Sequence, residues 1–386
     1  MSAEPRIKGW CPGAWRPMAT GDGLLVRVRP RLGQLSRAQM LALCEAAENF
    51  GSGLIELTSR ANFQLRGVTD TSWPSLMAFL VEHQLVSSDT EAERQPQLML
   101  APHWQAGDDS PTIASLLQAR GSELAAMPGK VGIAIDAGKA PVLCDSAADF
   151  RIERSMEGGL LVRADGHGLG TAVSDAEAAV EQLIRLTHWF VESGGWDSGR
   201  MRRHKAPLPD WAPADTPPAP LGAKLAIGSH PAGQVVGMPF GRATAATLRD
   251  LVAPASVTAV QVTPWRRLLV KQRLGQADTA PAVDGLIRHN SDPRLLMDAC
   301  PGAPYCEQAS VATQPLAERL SDLKNSSVHL SGCSKGCARR TPADVCLVGQ
   351  AGRFNLIVNG SADSTPVKTD LTESDVIAYL ESLGAL

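Results

Sequence analysis

Several features that would assign a function at once are absent from this sequence of 386 residues. No stretch approaches the ~20 consecutive apolar residues of a membrane-spanning helix, and no apolar signal core follows the N-terminal residues. The formal net charge is −3, which does not favour a general nucleic-acid-binding protein. We therefore expect a cytoplasmic protein that has neither a membrane nor a nucleic acid as its partner.

The sequence also lacks the glycine-rich motifs that bind nucleotides. No Gly-x-Gly-x-x-Gly segment joins a strand to a helix, and no Walker A segment occurs. A nicotinamide or flavin bound by a Rossmann unit is therefore not expected. If the protein transfers electrons, an external donor such as a reductase or a ferredoxin must supply them.

Four of the eight cysteines form two pairs near the C-terminus. Five residues separate Cys300 from Cys306, and three separate Cys333 from Cys337. Glycine and proline accompany the pairs, so the backbone can bend around a cluster and direct its amides at the sulfides. Four thiolates that converge from paired loops suit a [4Fe–4S] cluster. We predict these four cysteines as its ligands.

Two other interpretations of the paired cysteines stay open. One is a structural zinc site, although such sites favour about two to four residues between paired cysteines. The other is a set of unligated core thiols. Without an export signal, metal ligation is a better interpretation than disulfide bonds. The remaining cysteines are Cys11, Cys44, Cys144 and Cys346, of which Cys44 lies in a helical pattern as a small buried residue.

A proline-rich segment with six prolines in residues 207–220 divides the chain into two halves of similar size. Such a segment cannot be a helix or a central strand and indicates an extended linker. The halves look like copies of one unit, because strands and capped helices follow in the same order. Matching Val131 with Val328 aligns the copies. Asp136 then falls opposite Cys333, which predicts a duplicated body with one cluster site at its seam.

Two motifs make the sequence resemble the sulfite and nitrite reductases that carry sirohaem and an iron–sulfur cluster. Residues 331–337 (Ser-Gly-Cys-Ser-Lys-Gly-Cys), with Asp344 seven positions further on and the Cys300–Cys306 pair upstream, resemble the cluster signature. Residues 58–67 (Thr-Ser-Arg-Ala-Asn-Phe-Gln-Leu-Arg-Gly) look like the arginine motif that contacts the tetrapyrrole. Because the duplicated halves agree as well, the resemblance covers nearly the whole chain.

Within that superfamily the sequence is similar to the precorrin-3B synthases of the aerobic cobalamin pathway. The segments that carry this similarity are residues 11–18 with 21–27, residues 263–266 and residues 331–337. Sulfite reductases hold their anionic substrate with two lysines one residue apart, but here Gly132 replaces the lysine that should follow Lys130. Loss of that cation costs about 1–3 kcal/mol of charge-assisted hydrogen bonding, which weakens the reductase interpretation. Cys346 also departs from the signature, which prefers a small residue.

The resemblance implies an α+β fold. We expect a duplicated sulfite/nitrite reductase-like architecture, in which two ferredoxin-like half-domains and two larger mixed α/β lobes are related by a pseudo-twofold axis. The expected units are half-domain 1 (residues 1–70), lobe 1 without a cluster (71–205), the linker (206–220), half-domain 2 (221–285) and lobe 2 with the cluster (286–386).

The implied substrate is precorrin-3A, a ring related to the sirohaem skeleton that carries acetate and propionate carboxylates. Arginines suit its recognition, because a guanidinium binds a carboxylate through two parallel hydrogen bonds. The leading candidates are Arg60, Gln64 and Arg66, and both arginines would project to the same side of an extended strand. Further candidates are Arg16, Lys130 and Arg266. A strand with solvated arginines, and a surface role for the lysine, stay open as alternatives.

The implied reaction is an O2-dependent hydroxylation of precorrin-3A at C20, with closure of the ring A acetate to a lactone. The cluster would supply single electrons to a non-haem iron, and sirohaem is the less favoured cofactor. No histidine pattern identifies iron ligands, and catalytic residues stay unassigned. His329, near the cluster loop, is better explained as a core or surface histidine. Cys337 matches the cysteine that bridges the cluster and the sirohaem in the reductases.

Two other functions stay open at this point. One is a sirohaem-dependent, ferredoxin-linked sulfite or nitrite reductase, which Gly132 disfavours. The other is a non-catalytic protein, either zinc-stapled or electron-carrying, that binds tetrapyrroles without changing them. A zinc protein would be colourless, so its visible spectrum would distinguish it from a cluster protein.

Overall fold

The fold is described from a computed structural model for residues 9–104, 107–273, 283–321 and 326–382. Residues 274–282, at the end of the predicted half-domain 2, lie outside this part. No helix in the described ranges is long and apolar enough to cross a membrane.

The described strands are, in chain order, β1 (Met18–Thr20), β2 (Gly23–Val28), β3 (Gln34–Ser36), β4 (Leu54–Leu57), β5 (Phe63–Val68), β6 (Gln97–Leu100), β7 (Gly132–Asp136), β8 (Phe150–Arg154), β9 (Leu160–Ala164), β10 (Thr171–Val173), β11 (Gly228–His230), β12 (Gly233–Gly237), β13 (Arg242–Thr244), β14 (Val257–Val262), β15 (Arg267–Gln272), β16 (Met297–Ala299), β17 (Val328–Ser331), β18 (Ala343–Gln350), β19 (Arg353–Gly360) and β20 (Lys368–Leu371). The helices are α1 (Arg37–Phe50), α2 (Trp73–Glu82), α3 (Asp109–Ala119), α4 (Ala176–Glu192), α5 (Gly195–Ser198), α6 (Ala245–Val252), α7 (Gln314–Arg319) and α8 (Glu373–Ser382).

The strands of the described ranges form four five-stranded sheets in two matching pairs. Half-domain sheet 1 has the order β1-β2-β5-β4-β13, and half-domain sheet 2 has the order β11-β12-β15-β14-β3. Lobe sheet 1 is β10-β9-β8-β7-β6, and lobe sheet 2 is β16-β17-β18-β19-β20. This repetition confirms the predicted duplicated α+β architecture.

The two half-domain sheets exchange a strand. β3 comes from the first half but pairs with β14, whereas β13 comes from the second half and pairs with β4. Each exchanged strand ends in the residue that caps the next helix, Ser36 for α1 and Thr244 for α6, as the sequence predicts. Neither sheet is complete without the other half, so the halves form one interlocked body.

The two lobe sheets share one topology. In each, the first three strands of the chain run parallel and the remaining pairings are antiparallel. One face of each sheet carries the lobe core, to which Ile133 and Ile135 contribute in lobe 1 and Val328 and Leu330 in lobe 2. Because side chains alternate along a strand, the opposite face is left for other contacts.

Equivalent hydrogen bonds identify the matching positions of the two lobes. Directly after β6, the amide of Ala101 donates to the carbonyl of Ile135. Directly after β16, the amide of Cys300 donates to the carbonyl of Leu330. Lobe 1 therefore has an alanine where lobe 2 has the first of the predicted cluster cysteines.

This equivalence corrects the alignment expected from the sequence. It puts Asp136 opposite Ser331, so the expected match of Asp136 with Cys333 is wrong by two residues. Asp149 and Asp344 agree with the corrected register, because each accepts a hydrogen bond from a backbone amide at the start of the preceding strand. The error has a simple cause: a shift of two residues keeps every strand side chain on the same face, so hydrophobic alternation does not detect it.

The proline-rich segment, which the sequence predicts as a linker, packs against lobe 1. Thr216 and Pro218 form isolated bridges with Gly170 and Ser155. Ala212 is 1% exposed and belongs to the lobe 1 core. The segment therefore extends the lobe surface instead of crossing solvent between the halves.

Candidate active site

The four predicted cluster cysteines lie on two loops that leave the same end of lobe sheet 2. Cys300 directly follows β16, and Cys333 follows β17 after one glycine. These strands are parallel neighbours, so their carboxyl ends lie side by side. The amide of Gly332 donates to the Cys300 sulfur over 3.1 Å and so joins the two loops directly.

Three glycines allow the loops to approach this closely. Gly302 and Gly336 have φ angles of 66° and 58°, in the left-handed region that favours glycine. A Cβ on Gly332 would lie 2.5 Å from the Cβ of Ala309, which is closer than two carbon atoms can approach. The sequence context of the cysteines therefore produces a compact cradle.

The thiols of this cradle influence one another. Burial raises the pKa of Cys300, and the neighbouring Cys306 raises it further. Burial also raises the pKa of Cys337, with additional contributions from Cys300 and Cys333. Thiolates grouped in this way are unfavourable without a cation, and the irons of a cluster would remove that penalty.

The donor set suits a cluster better than a single ion. Among the described residues, no three His, Cys, Asp or Glu side chains lie close enough to share one metal ion. Two sulfurs on one zinc are at most about 4.6 Å apart, because each Zn–S bond is about 2.3 Å. In a cubane each cysteine binds a different iron, so its sulfurs stand farther apart. The same described residues offer no ligand group for a mononuclear iron.

A group of arginine side chains lies at the end of half-domain sheet 1. Arg27, Arg29 and Arg60 are half-buried and close enough to affect one another, and we call them the arginine cluster. Burial, with smaller contributions from Arg29 and Arg60, lowers the pKa of Arg27 to about 10. The charge and the hydrogen bond of the Cys11 sulfur act in the opposite direction. Burial also lowers the pKa of Arg29, which Glu93 partly offsets, and that of Arg60.

Besides the Cys11 sulfur beside Arg27 and the Glu93 charge near Arg29, the groups that hold the arginine cluster are neutral oxygens. Arg27 donates from Nε and Nη2 to the Gln64 side-chain oxygen over 3.2 and 2.7 Å. Arg29 donates to the carbonyl of Gln95 over 3.2 Å, and Arg60 donates to the carbonyl of Lys130 over 2.7 Å. These bonds orient the guanidinium groups and leave their charges available to an anionic ligand.

Gly132 lies against this cluster. A Cβ at this position would stand 3.5 Å from Nη1 of Arg60. The lysine that sulfite reductases have here would therefore bring a further cation beside Arg60. Its absence leaves room at the point where Arg60 and Lys130 meet.

A cavity of about 680 Å³ adjoins the arginine cluster. Arg29, Asn62, Gln97 and the carboxylate-bearing Glu93 supply polar groups to its wall. Much of the remaining wall is aliphatic, formed by Leu32, Leu35, Leu85, Leu98, Leu117 and Leu124. This volume lies within the range of about 300–1,000 Å³ for small-molecule sites. The combination suits a ligand with an apolar body and anionic substituents.

Arg66, a leading sequence candidate, occupies different surroundings. It is 2% exposed, and it donates to Asp22 over 2.7 and 3.1 Å and to Glu56 over 3.2 Å. It also donates to the carbonyl of Tyr305 over 2.6 Å, directly beside Cys306. Arg66 thus links half-domain sheet 1 to a cluster loop, and its contact with substrate stays a prediction.

Of the remaining candidates, some contact the arginine cluster and others lie elsewhere. Lys130 and Gln64 hold members of the arginine cluster, as described above. Arg16 is exposed on the loop that carries Cys11, with its guanidinium 4.2 Å from the Trp10 ring centroid. Arg266 lies elsewhere and donates to Asp298 over 2.7 Å.

Arg27 and Arg29 were not among the residues predicted from the sequence to bind substrate. A usable signal exists, because residues 26–29 alternate between apolar and basic side chains after two leucines. Val26 and Val28 are fully buried, so the intervening arginines point to the opposite side of the sheet.

His329 is a core histidine, as the sequence suggested. It is 0% exposed, and its Nδ1 lies 3.5 Å from the Cys346 sulfur. Burial lowers the pKa of His329 and raises that of Cys346 to about 11. Both groups are therefore neutral near pH 7.

Comparisons with known proteins agree with this arrangement. The family model of the nitrite/sulfite reductase ferredoxin-like half domain matches residues 16–83. A precorrin-3B synthase from Sinorhizobium sp is 31% identical over 98% of this chain and 88% of the relative. A ferredoxin–nitrite reductase from Synechococcus elongatus is 26% identical over 90% of this chain and 80% of the relative. The structure of the Mycobacterium tuberculosis NirA protein has a TM-score of 0.63 at 19% identity, and the match covers 93% of this chain and 79% of that chain.

The interlocked sheets, the cysteine loops and these relatives define an oxidoreductase of the nitrite and sulfite reductase superfamily, a class that uses iron–sulfur or haem cofactors. Within this class, the reductases are the more distant relatives. The chain belongs to the precorrin-3B synthase family.

Proposed function

We propose that the protein is an O2-dependent monooxygenase of aerobic cobalamin biosynthesis. It hydroxylates precorrin-3A at C20 and closes the ring A acetate to a lactone. The observation that carries this proposal is the arginine cluster, whose guanidinium groups are held by amide and backbone oxygens beside a cavity with aliphatic walls. A macrocycle with acetate and propionate substituents has the matching chemistry.

The arginine cluster binds and orients the macrocycle in this proposal. Arg27 and Arg60 are held by neutral oxygens and can each bind a carboxylate through further N–H groups. The Nε of Arg29 is buried and has no partner among the described residues, so a ligand carboxylate would satisfy it. The ammonium of Lys130 is the next available cation. The leucines of the cavity exclude water from the ring face.

We assign a [4Fe–4S] cluster to Cys300, Cys306, Cys333 and Cys337. When bound, it supplies single electrons. The amide of Gly332 donates to the Cys300 sulfur and stabilises its thiolate form. An external reductase or ferredoxin delivers the electrons in the cytoplasm.

A further redox centre completes the proposal, with a non-haem iron favoured over sirohaem. The described residues contain no group of three side chains that could hold a mononuclear iron. Such an iron therefore has no ligands among the residues assigned above.

A visible spectrum of the anaerobically purified protein, with iron, sulfide and pigment determined on the same sample, tests the cofactors. A brown protein with cluster iron and sulfide but no extractable sirohaem is expected. Oxygen uptake that depends on precorrin-3A, and a product heavier by one oxygen atom, would then support the activity. Sharp sirohaem bands with sulfite or nitrite reduction would contradict it, and a colourless zinc protein would contradict the cluster assignment.

Substitution tests the substrate site separately. Arg60→Ala removes a cation whose carboxylate contact is worth about 1.5–3 kcal/mol, so KM for precorrin-3A should rise at least about tenfold with the cluster content unchanged. Arg203→Ala, at an exposed position, is the matched control. Unchanged affinity in the Arg60 variant would remove Arg60 from the site.

A further inference from the structure

Gln64, which accepts the hydrogen bonds of Arg27, belongs to a row of side chains that crosses half-domain sheet 1. Arg242, Glu56, Gln64 and Arg27 stand on β13, β4, β5 and β2, and each is the direct cross-strand partner of the next. Direct partners on neighbouring strands project to the same face of a sheet. The four side chains therefore form one continuous ladder, which we call the polar row.

Hydrogen bonds connect the polar row from end to end. Arg242 donates to one oxygen of Glu56 over 3.0 and 2.6 Å, and the Gln64 amide nitrogen donates to the other over 3.2 Å. The Gln64 oxygen then accepts the two bonds from Arg27. Glu56 accepts hydrogen bonds but donates none when ionised, so it determines which end of the Gln64 amide faces Arg27.

The polar row orients Arg27 without cancelling its charge. The negative charge of Glu56 is compensated by Arg242 and Arg66, at distances of 2.6 and 3.2 Å. Gln64 is neutral and separates this compensated carboxylate from Arg27. A carboxylate at position 64 would form an internal ion pair with Arg27 and compete with an anionic ligand.

The second half of the chain shows that the fold does not require charged side chains in this row. The equivalent positions on β3, β14, β15 and β12 of half-domain sheet 2 hold Gln34, Gln261, Leu269 and Val235. This row also begins on an exchanged strand, yet it contains no charged residue. Leu269 stands where the first half has Gln64, and Val235 stands where it has Arg27. The polar row is therefore specific to the half that carries the arginine cluster.

We propose that Gln64 and Glu56 are positioning residues that present Arg27, which pairs with no carboxylate among the described residues, to a carboxylate of the ligand. The inference rests on the proposed function and deepens it, because it identifies what selects a polycarboxylate macrocycle. The exchanged strand β13 takes part, since it supplies Arg242 from the other half of the chain. The sequence candidate Gln64 thereby acts through Arg27.

Binding of uroporphyrin III, a porphyrin with eight carboxylates, to the cluster-loaded protein tests the inference by fluorescence titration. Gln64→Glu keeps the shape and the acceptor but neutralises Arg27, so the dissociation constant should rise about 10-fold to 100-fold. Glu56→Gln removes the group that fixes the amide and should weaken binding several-fold. Gln350→Glu adds the same charge at an exposed position and should leave binding unchanged.

A double-mutant cycle separates positioning of Arg27 from a general structural effect. In an Arg27→Met background, Gln64→Glu should have little further effect on the dissociation constant. If Gln64→Glu fails to fold, Gln64→Met removes the acceptor without adding charge, and it should also weaken binding.

The outcomes distinguish the inference from the function on which it rests. Wild-type affinity in Gln64→Glu or Gln64→Met would overturn the inference and leave the tetrapyrrole site intact. An equal loss in the presence and absence of Arg27 would also overturn it. If the wild type binds uroporphyrin III no better than Arg60→Ala, the proposed tetrapyrrole site fails, and the inference fails with it.

Discussion

Replacing Arg66 with methionine should destabilise the protein severely, although the sequence suggests a role for Arg66 in substrate binding. The side chains of Asp22 and Glu56, which its guanidinium holds, are 13% and 8% exposed. Methionine is of comparable length but leaves these carboxylates without that partner. It also removes the hydrogen bond to the carbonyl of Tyr305.

The size of the effect follows from this burial. Removal of one partner from a buried ion pair costs about 3–5 kcal/mol, because the remaining charge is uncompensated. Arg242 still compensates Glu56, and the side chain of Asp22 is partly hydrated, so we expect a value within that range and not the sum of two broken pairs. Cluster retention should suffer as well, since Tyr305 precedes a cluster cysteine.

Urea unfolding of the cluster-loaded protein, followed by circular dichroism and by loss of cluster absorbance, measures both effects. Arg66→Lys should be intermediate, because lysine retains the charge but cannot reach the same set of acceptors. Arg203→Ala, which changes an exposed arginine, should shift stability by less than about 0.5 kcal/mol. Wild-type unfolding of the methionine variant, with a loss confined to uroporphyrin III affinity, would refute the structural reasoning and support direct substrate binding by Arg66.

Three further predictions concern the cysteines, the missing lysine and a buried carboxyl group. Cys333→Ser should lose cluster iron, sulfide and turnover together. The control Cys44→Ala, at a buried position of α1, should retain all three. Full cluster content in Cys333→Ser would contradict the ligand assignment. Gly132→Lys should weaken uroporphyrin III binding by repelling Arg60 and should not create sulfite reduction; efficient reduction would favour the reductase alternative. Burial raises the pKa of Asp136 from 3.8 to about 6, so its contribution to stability is complete below pH 3.8 and is lost as the pH rises through 6. This loss amounts to about 3 kcal/mol, because each unit of difference between the two pKa values is worth about 1.36 kcal/mol. Asp136→Asn should remove this pH dependence, because asparagine does not titrate. Urea unfolding midpoints of the wild type and the variant at pH 5 and pH 8 measure it. If the midpoints of both proteins change equally with pH, the assignment to Asp136 is wrong.

A contact between half-domain sheet 1 and the loop of Cys306 is consistent with a site at the seam of the two halves. Tyr305 accepts hydrogen bonds through its carbonyl from Gly21 and Arg66, and its ring lies 4.1 Å below the guanidinium carbon of Arg242. Strands from both halves of the chain thus meet one cluster loop. The duplication supplies the frame, and unequal side chains in its two copies account for the single functional centre that we propose.

The amino-acid sequence by itself determined the features that depend on local chemistry. Helix caps such as Ser36 and Thr244 act within one turn, and strand periodicity is visible over a few residues, so the order of the elements was predictable. The paired cysteines were equally visible, because loop ligands lie close together in the chain. The duplicated fold followed from repetition of these local signals.

Only the tertiary structure decided which strands pair and which arginine charges are compensated. An exchanged strand of three residues, such as β13, carries too little pattern to identify its partner, and a register shift of two residues leaves hydrophobic alternation unchanged. Whether an arginine is compensated depends on side chains brought beside it from distant strands. Arg66 meets Asp22 and Glu56, whereas Arg27 meets a neutral amide, and this difference separates an arginine that stabilises the fold from one available to a ligand.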